Sequence, residues 1–94
     1  MKVVYTGHLE NRLMVRGIEH DLPREIFEES REKYFDWETG HFIAVNKVRL
    51  YGKMREVMVA YILEGDTAKI VPIHPLKEKQ KENRIKMGRW RKVS

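Results

Sequence analysis

Residues Arg55–Leu63 read Arg-Glu-Val-Met-Val-Ala-Tyr-Ile-Leu, and this stretch decides the fold. It is apolar from Val57 to Leu63 without polar alternation, which is typical of a short strand that is covered on both faces. Glycine-containing turns stand on either side, Tyr51-Gly52-Lys53 before it and Glu64-Gly65-Asp66 after it, and they leave little room for a helix. We therefore predict that Arg55–Leu63 is the central strand of an antiparallel sheet.

Two more strands follow from the sequence on either side of this one. His41–Leu50 alternates between two faces, as a half-buried strand does, and the turn at Gly52 would join it to the central strand in a hairpin. Thr67–Ile73 returns after the turn at Gly65, and Pro72 lacks the N–H that a sheet ladder needs. We expect a three-stranded antiparallel meander, with Thr67–Ile73 at its edge or ending at Pro72.

The N-terminal part predicts one strand and two helices. Lys2–Tyr5 favours a strand, and His8–Arg16 has helical spacing, with Thr6 as its N-cap and Gly17 as its C-cap. A second helix should begin near Asp21 and end around residues 34–36, because Leu22, Ile26, Phe27 and Tyr34 recur at helical spacing.

The C-terminal part predicts a basic helix over Lys77–Met87 that ends at Gly88 and has a thin apolar face. The expected order is strand, two helices, three-stranded antiparallel meander and C-terminal basic helix. This is an α+β arrangement in a single domain, residues 1–94, in which residues 76–94 form the basic helix and tail.

Composition excludes several classes of protein. The chain has no cysteine, which argues against disulfides and thiolate metal sites, and no apolar run approaches the ~20 residues that span a bilayer. The N-terminal residues do not resemble a signal peptide. The four histidines lack metal-ligand spacing such as His-Glu-x-x-His. We expect a cytoplasmic protein that does not contact membranes and needs neither a metal nor another cofactor.

The positive charge is concentrated at one end of the chain. The net charge is +5, but residues 76–94 carry eight Lys or Arg against two Glu, a net charge of +6, and the remaining residues carry −1. Such asymmetry indicates an anionic partner, which is most often a nucleic acid or an acidic protein.

The order of elements and several short motifs resemble the RelE/ParE toxin superfamily, and in particular its BrnT-like members. The resembling pieces are His8-Leu9-Glu10-Asn11-Arg12, Arg16-Gly17-Ile18, Ile43-Ala44-Val45, residues 51–61, and residues 68–75. The likeness implies a toxin of a toxin–antitoxin pair, often an endoribonuclease of messenger RNA. It also implies an antitoxin that covers the basic surface, and for some members the ribosome as a partner.

The chain differs from BrnT-like proteins at one point, and this difference limits which site residues the resemblance can assign. BrnT-like chains commonly carry a serine-alanine-arginine run after the last strand, where this chain has Ile73-His74-Pro75-Leu76. No catalytic residue is therefore carried over from the family, and the candidates come from the chemistry of RNA cleavage. A base must activate the ribose 2′-OH, cations must stabilise the phosphorane, and an acid must protonate the leaving oxygen.

His74 is the best-placed base, because it ends the last predicted strand next to the basic segment, and His8 is a second histidine that could join it. Arg84 and Arg89 are the predicted phosphate-binding residues of this catalytic group. The alternative is that His74 is a strand-end residue whose ring packs against a neighbour.

The rest of the basic segment predicts a nucleic-acid-binding surface, on which Trp90 would stack a base. Its members are Lys77, Lys79, Lys81, Lys86, Trp90, Arg91 and Lys92. The alternative is a solvated helix face with Trp90 packed on the sheet. Two functions stay open: a metal-independent endoribonuclease, and a non-catalytic module that binds nucleic acid or protein through the basic segment.

Overall fold

The structure is a computed structural model that describes residues 1–93; Ser94, the last residue of the predicted segment 76–94, lies outside this part. In chain order the elements are β1 Lys2–Tyr5, α1 Gly7–Arg16, α2 Leu22–Glu29, β2 Glu32–Asp36, β3 Phe42–Leu50, β4 Lys53–Glu64, β5 Thr67–Pro75, α3 Gln80–Lys86 and β6 Trp90–Lys92. They form an α+β fold.

The six strands of residues 1–93 form one mixed sheet in the order β1-β5-β4-β3-β2-β6. β4 lies inside this sheet, as predicted for Arg55–Leu63, and is paired with β3 and β5. The expected three-stranded meander is only part of the sheet, because β2 precedes it as another antiparallel neighbour. β1 pairs in parallel with the first half of β5, from Lys2 opposite Thr67 to Tyr5 opposite Ile70.

Both faces of the sheet are covered, each by its own core. One face packs against α1 and α2, where Leu9, Leu13 and Ile26 meet Val57 and Val59. The other face carries a smaller cluster beneath the C-terminal segment, made of Tyr34, Ile43, Val45, Met58, Ala60 and Trp90. Apolar side chains on both sides of β4 explain why its sequence does not alternate.

The first helix is capped as the sequence predicts. The Thr6 hydroxyl accepts a hydrogen bond of 3.1 Å from the backbone N–H of Leu9, and Gly17 ends the helix in the left-handed conformation at φ 63°. A residue with a Cβ would be strained at this φ, which explains the glycine.

The predicted end of the second helix is wrong. α2 ends at Glu29, and residues 32–36 form β2, in which Tyr34 pairs with Ile43 of β3. The hydroxyl of buried Ser30 donates to the carbonyl of Val45 and accepts from the backbone N–H of Glu32, so it ties the end of α2 to β2 and β3. This side-chain bonding competes with continuation of the helix, and burial of Tyr34 in the sheet outweighs its helical spacing.

Two predictions about the end of the chain also need correction. The predicted helix Lys77–Met87 is shorter, Gln80–Lys86, and the residues after Gly88 form the edge strand β6 rather than a tail. β5 continues through Pro72 to Pro75, and Pro72 lies in the half of β5 that β1 does not cover. No helix within residues 1–93 has both the length and the apolar character that crossing a bilayer requires.

Candidate functional site

A cleft of about 260 Å³ lies on the sheet face beneath the C-terminal segment. Its floor is apolar and formed by Ile43, Met58, Ala60 and Pro72 from the central strands. Polar groups stand around this floor, namely Asp36, Thr39, His41, His74, Arg84 and Arg89. The structure therefore brings together the three residues that the sequence proposed as catalytic, although fifteen positions separate His74 from Arg89 in the chain.

His74 belongs to β5 and stands opposite Met58 of β4, so both side chains lie on the cleft face of the sheet. Its side chain is exposed to solvent. Partial burial of the ring against the sheet lowers the pKa of His74 below its ordinary value of 6.5, and the positive charges of Arg12, Arg16 and Arg84 lower the pKa further. This lowered pKa favours the neutral ring, which is the form that can accept a proton.

Arg84 belongs to α3 and is half-buried beside the cleft. Its guanidinium lies over the ring of Trp90, at 5.4 Å from the ring centroid. Within the described residues no carboxylate oxygen lies within 4 Å of it, so its charge is not neutralised by an ion pair. Stacking on the indole holds the guanidinium in place while its N–H donors remain available to an anion.

Arg89 is arranged differently, because it is tied to the loop after β2. Its Nε and one terminal nitrogen donate to the two carboxylate oxygens of Asp36 at 3.0 and 3.1 Å, and its other terminal nitrogen lies 3.2 Å from Glu38. Burial alone would raise the pKa of Asp36, but hydrogen bonds from Arg89, from the Glu38 N–H and from Trp90 lower it to about 2. Arg89 thus forms a wall of the cleft and has few donors left for a phosphate.

Lys81 is also neutralised by neighbouring acids. Its ammonium lies 2.8 Å from a Glu32 oxygen and 2.7 Å from a Glu56 oxygen, and only 15% of its side chain is exposed. These two hydrogen bonds hold the start of α3 on the sheet face, and they outweigh burial in raising the pKa of Lys81. The predicted phosphate contact of Lys81 does not fit this position.

Trp90 is buried, at 1% exposure, and its ring stacks on Tyr34 with 5.6 Å between the ring centroids. It cannot stack a nucleotide base in this structure, and it instead packs the end of the chain on the sheet. Side chains alternate along β6, so exposed Arg91 lies on the opposite sheet face, where its guanidinium is 5.6 Å from the centroid of Trp37. Exposed Lys92 shares the face of Trp90.

The remaining members of the basic run are Lys77, Lys79 and Lys86, and all three are exposed. Lys77 and Lys79 line a shallow groove of mixed charge that also contains Glu56, Glu78 and Glu82. The eight cations of residues 76–94 therefore do not form one continuous row. Some are paired with acids, one lies on the other sheet face, and Arg84 is the one that lies in the cleft without an ion pair.

Sequence reasoning missed three residues near this site. His41 precedes β3 and lies in the cleft, although a histidine next to a turn gives no signal of that place. Arg12 and Arg16 belong to α1, and their positive charges lower the pKa of His74. No signal in the sequence reveals this, because α1 and β5 lie about sixty residues apart.

Other concave surfaces offer less chemistry. A larger groove, about 510 Å³, runs along α1 and is lined mainly by apolar and neutral groups. Its one histidine, His20, is hydrogen-bonded to Glu10 at 2.6 Å. Among residues 1–93 no three histidine, aspartate or glutamate side chains converge in a way that could hold a metal ion.

Comparison with known proteins does not add to this geometry: no family model matches the chain, and no curated protein and no solved structure is significantly similar to it.

Proposed function

We propose that this chain is a toxin-like, RNA-directed protein with a RelE-like fold, and that it cleaves RNA as a metal-independent endoribonuclease in the cytoplasm. The order of strand, two helices and consecutive antiparallel strands supports the fold proposal. The proposal implies RNA as the substrate, with an antitoxin protein and the ribosome as partners. The part of the proposal that relates this chain to BrnT-like toxins rests on the short sequence motifs quoted above.

One observation carries the proposal: within residues 1–93, a solvent-exposed His74 and an Arg84 without an ion pair line the same cleft. A neutral imidazole accepts a proton, and a guanidinium stabilises the charge that grows on a phosphoryl oxygen. The floor of the cleft is apolar, and in this proposal an extended strand of RNA lies across it.

The reaction follows from these two groups. His74 takes the proton of a ribose 2′-OH, and the 2′-oxygen attacks the adjacent phosphorus atom. Arg84 stabilises the pentacoordinate phosphorane, the bond from phosphorus to the 5′-oxygen breaks, and that oxygen takes a proton from water. The products are a 2′,3′-cyclic phosphate and a 5′-hydroxyl end.

Arg89 and His41 have supporting roles in this proposal. Arg89 holds the loop after β2 through Asp36 and thereby shapes one wall of the cleft. His41 precedes β3 and His74 is on β5, so two strand spacings, about 10 Å, separate their strands. His41 is therefore placed to contact a neighbouring nucleotide rather than the phosphate that reacts.

The test is cleavage of an end-labelled RNA by the purified protein in EDTA, with wild type, His74→Ala and Arg84→Gln. The matched control is His20→Ala, which removes an exposed histidine that does not line the cleft. We expect cuts that end in 2′,3′-cyclic phosphate, a loss of at least ~100-fold in His74→Ala, and no change in the control.

The same assay separates the alternatives. RNA that shifts on a gel but stays intact with wild type would reject the nuclease and favour the non-catalytic binding module. Cleavage that survives in His74→Ala would reject His74 as the base. Cleavage that occurs only when purified ribosomes are added would identify the ribosome as a required partner.

A further inference from the structure

Arg12 and Arg16 of α1 are cations that lie outside the basic C-terminal segment, and the proposed reaction does not use them. Leu9 and Leu13 bury the inner side of α1, and Arg12 and Arg16 are spaced four residues apart on a neighbouring side. Together with His8 they line a hollow of about 210 Å³ on the surface. Within residues 1–93 neither arginine has a carboxylate oxygen within 4 Å, in contrast to Lys81 and Arg89.

The fold places this side of α1 next to the free half of β5. β1 ends at Tyr5, opposite Ile70, so no strand within residues 1–93 pairs with the edge of β5 from Val71 to Pro75 on that side. Thr6 fixes the start of α1 there, because its hydroxyl lies 3.4 Å from the carbonyl of Val71. At the other end of the helix, the Tyr51 hydroxyl donates to the carbonyl of Arg16 at 3.1 Å.

His74 belongs to this free half of β5, so the cleft and the arginines of α1 adjoin the same edge. The charges of Arg12 and Arg16 act on His74 together with that of Arg84, which approaches from α3. Within residues 1–93, three cations without a carboxylate partner thus adjoin the part of β5 that carries His74, although they come from distant parts of the chain. An anion that binds among them would reduce the repulsion between these like charges.

We propose that Arg12 and Arg16 form a phosphate-binding track that guides a single RNA strand from the cleft around the free edge of β5. The inference rests on the proposed function, and it names the surface that holds the substrate on the far side of His74. Each guanidinium presents five N–H donors and binds a phosphate through two of them. An RNA strand, rather than an acidic protein, is the occupant that we propose, because the hollow and the cleft adjoin the same edge of β5 and one continuous phosphate backbone can reach both.

The experiment measures binding of a fluorescent single-stranded RNA that lacks 2′-hydroxyl groups at its central nucleotides, so that it cannot be cut. Anisotropy titrations at several salt concentrations compare wild type with R12Q/R16Q and with R12K/R16K. The matched control is K2A/R31A, which also removes two positive charges; Lys2 pairs with Thr67 at the far end of β5, and exposed Arg31 precedes β2.

Two phosphate contacts contribute about 1.4 to the slope of log K against log salt for a single strand, or about 25-fold in affinity at 0.1 M salt relative to 1 M. We expect R12Q/R16Q to lose that affinity and that slope, R12K/R16K to retain most of both, and the control to match wild type. A circular dichroism melt confirms that each variant is folded.

The other outcomes overturn the track in distinguishable ways. Wild-type affinity and slope in R12Q/R16Q would reject the track and leave the proposed cleavage reaction standing. Equal losses in R12Q/R16Q and the control would reject a specific path along α1. No RNA binding by wild type would reject the track and the proposed function together. Loss of binding to a poly-glutamate peptide, with RNA binding intact, would assign the two arginines to an acidic protein partner.

Discussion

Asp36 and Trp90 lie 54 positions apart in the chain, and the indole Nε1 of Trp90 donates to the carboxylate of Asp36 at 3.2 Å. The same carboxylate receives two hydrogen bonds from Arg89 and one from the backbone N–H of Glu38. Asp36 is 2% exposed, so these donors replace the water that its charge would otherwise bind. The carboxylate is thus the point at which the C-terminal segment is fastened to the sheet.

We expect Asp36→Ala to lower the free energy of unfolding by about 3–5 kcal/mol, because it leaves the Arg89 charge and the buried Trp90 N–H without their partner. The measurement is urea denaturation followed by circular dichroism. The matched control is Glu38→Ala, which removes an exposed partner of the same arginine, 68% exposed, and should cost less than about 1 kcal/mol. Equal costs for the two variants would contradict this account of the site.

Acid should destabilise the protein through the same group. The pKa of Asp36 is lowered from 3.8 to about 2, so its contribution is complete above pH 3.8 and is lost as pH falls toward 2. At about 1.4 kcal/mol per pKa unit, this contribution is about 2 kcal/mol. We expect the free energy of unfolding to fall over this interval and to fall less steeply in Asp36→Asn. An unchanged slope in Asp36→Asn would show that other carboxyl groups dominate acid unfolding.

Substitution of Lys81 should affect the stability of the protein rather than its RNA binding, and exposed Lys79 serves as the comparison. Lys81 is paired with Glu32 and Glu56, so Lys81→Met should lower the free energy of unfolding by about 2 kcal/mol with little change in the salt dependence of RNA binding. Lys79 is exposed, so Lys79→Met should leave stability within about 0.5 kcal/mol. Thermal melts and anisotropy titrations measure the two effects. A steep loss of RNA affinity in Lys81→Met alone would place that lysine on the nucleic acid.

The pH dependence of cleavage should report His74 as the base. The rate should rise with pH through the pKa of His74, which is lowered below 6.5, and become level above it. NMR titration of the His74 ring measures the same pKa directly. In R12Q/R16Q we expect the pKa to rise toward 6.5 without reaching it, because burial of the ring remains. A wild-type pKa above 6.5 would contradict the arrangement of charges around His74.

The sequence was most informative where a pattern is local. The cap residues Thr6 and Gly17 bound α1 as predicted, and the apolar stretch around Val59 marks β4 because burial on both faces leaves no polar positions. β2 was missed because its identity depends on pairing with β3 and on the hydrogen bond from Ser30 to Val45. Such contacts override local spacing and are not visible in a single segment.

The candidate site was predictable in part for a similar reason. His74 and Arg84 were identified because their residue types suit the chemistry and the basic segment lies next to His74 in the chain. The ion pairs of Arg89 and Lys81 could not be predicted, because their acidic partners lie 25 to 53 positions away in the chain. These partners are Asp36, Glu32 and Glu56. A count of charges in one segment cannot show which of them are neutralised by the rest of the fold.

The place of β6 at the edge of the sheet also affects how the protein is made. β2 is synthesised before β3, β4 and β5, yet β6, the strand that covers its open side, follows all of them in the chain. Until then, the nascent chain presents β2 as an unpaired edge that another strand could join. Pairing between such distant segments also slows folding, because a long loop must close first. We therefore expect β6 to dock after the other strands have paired, and this docking buries Trp90 and closes that edge.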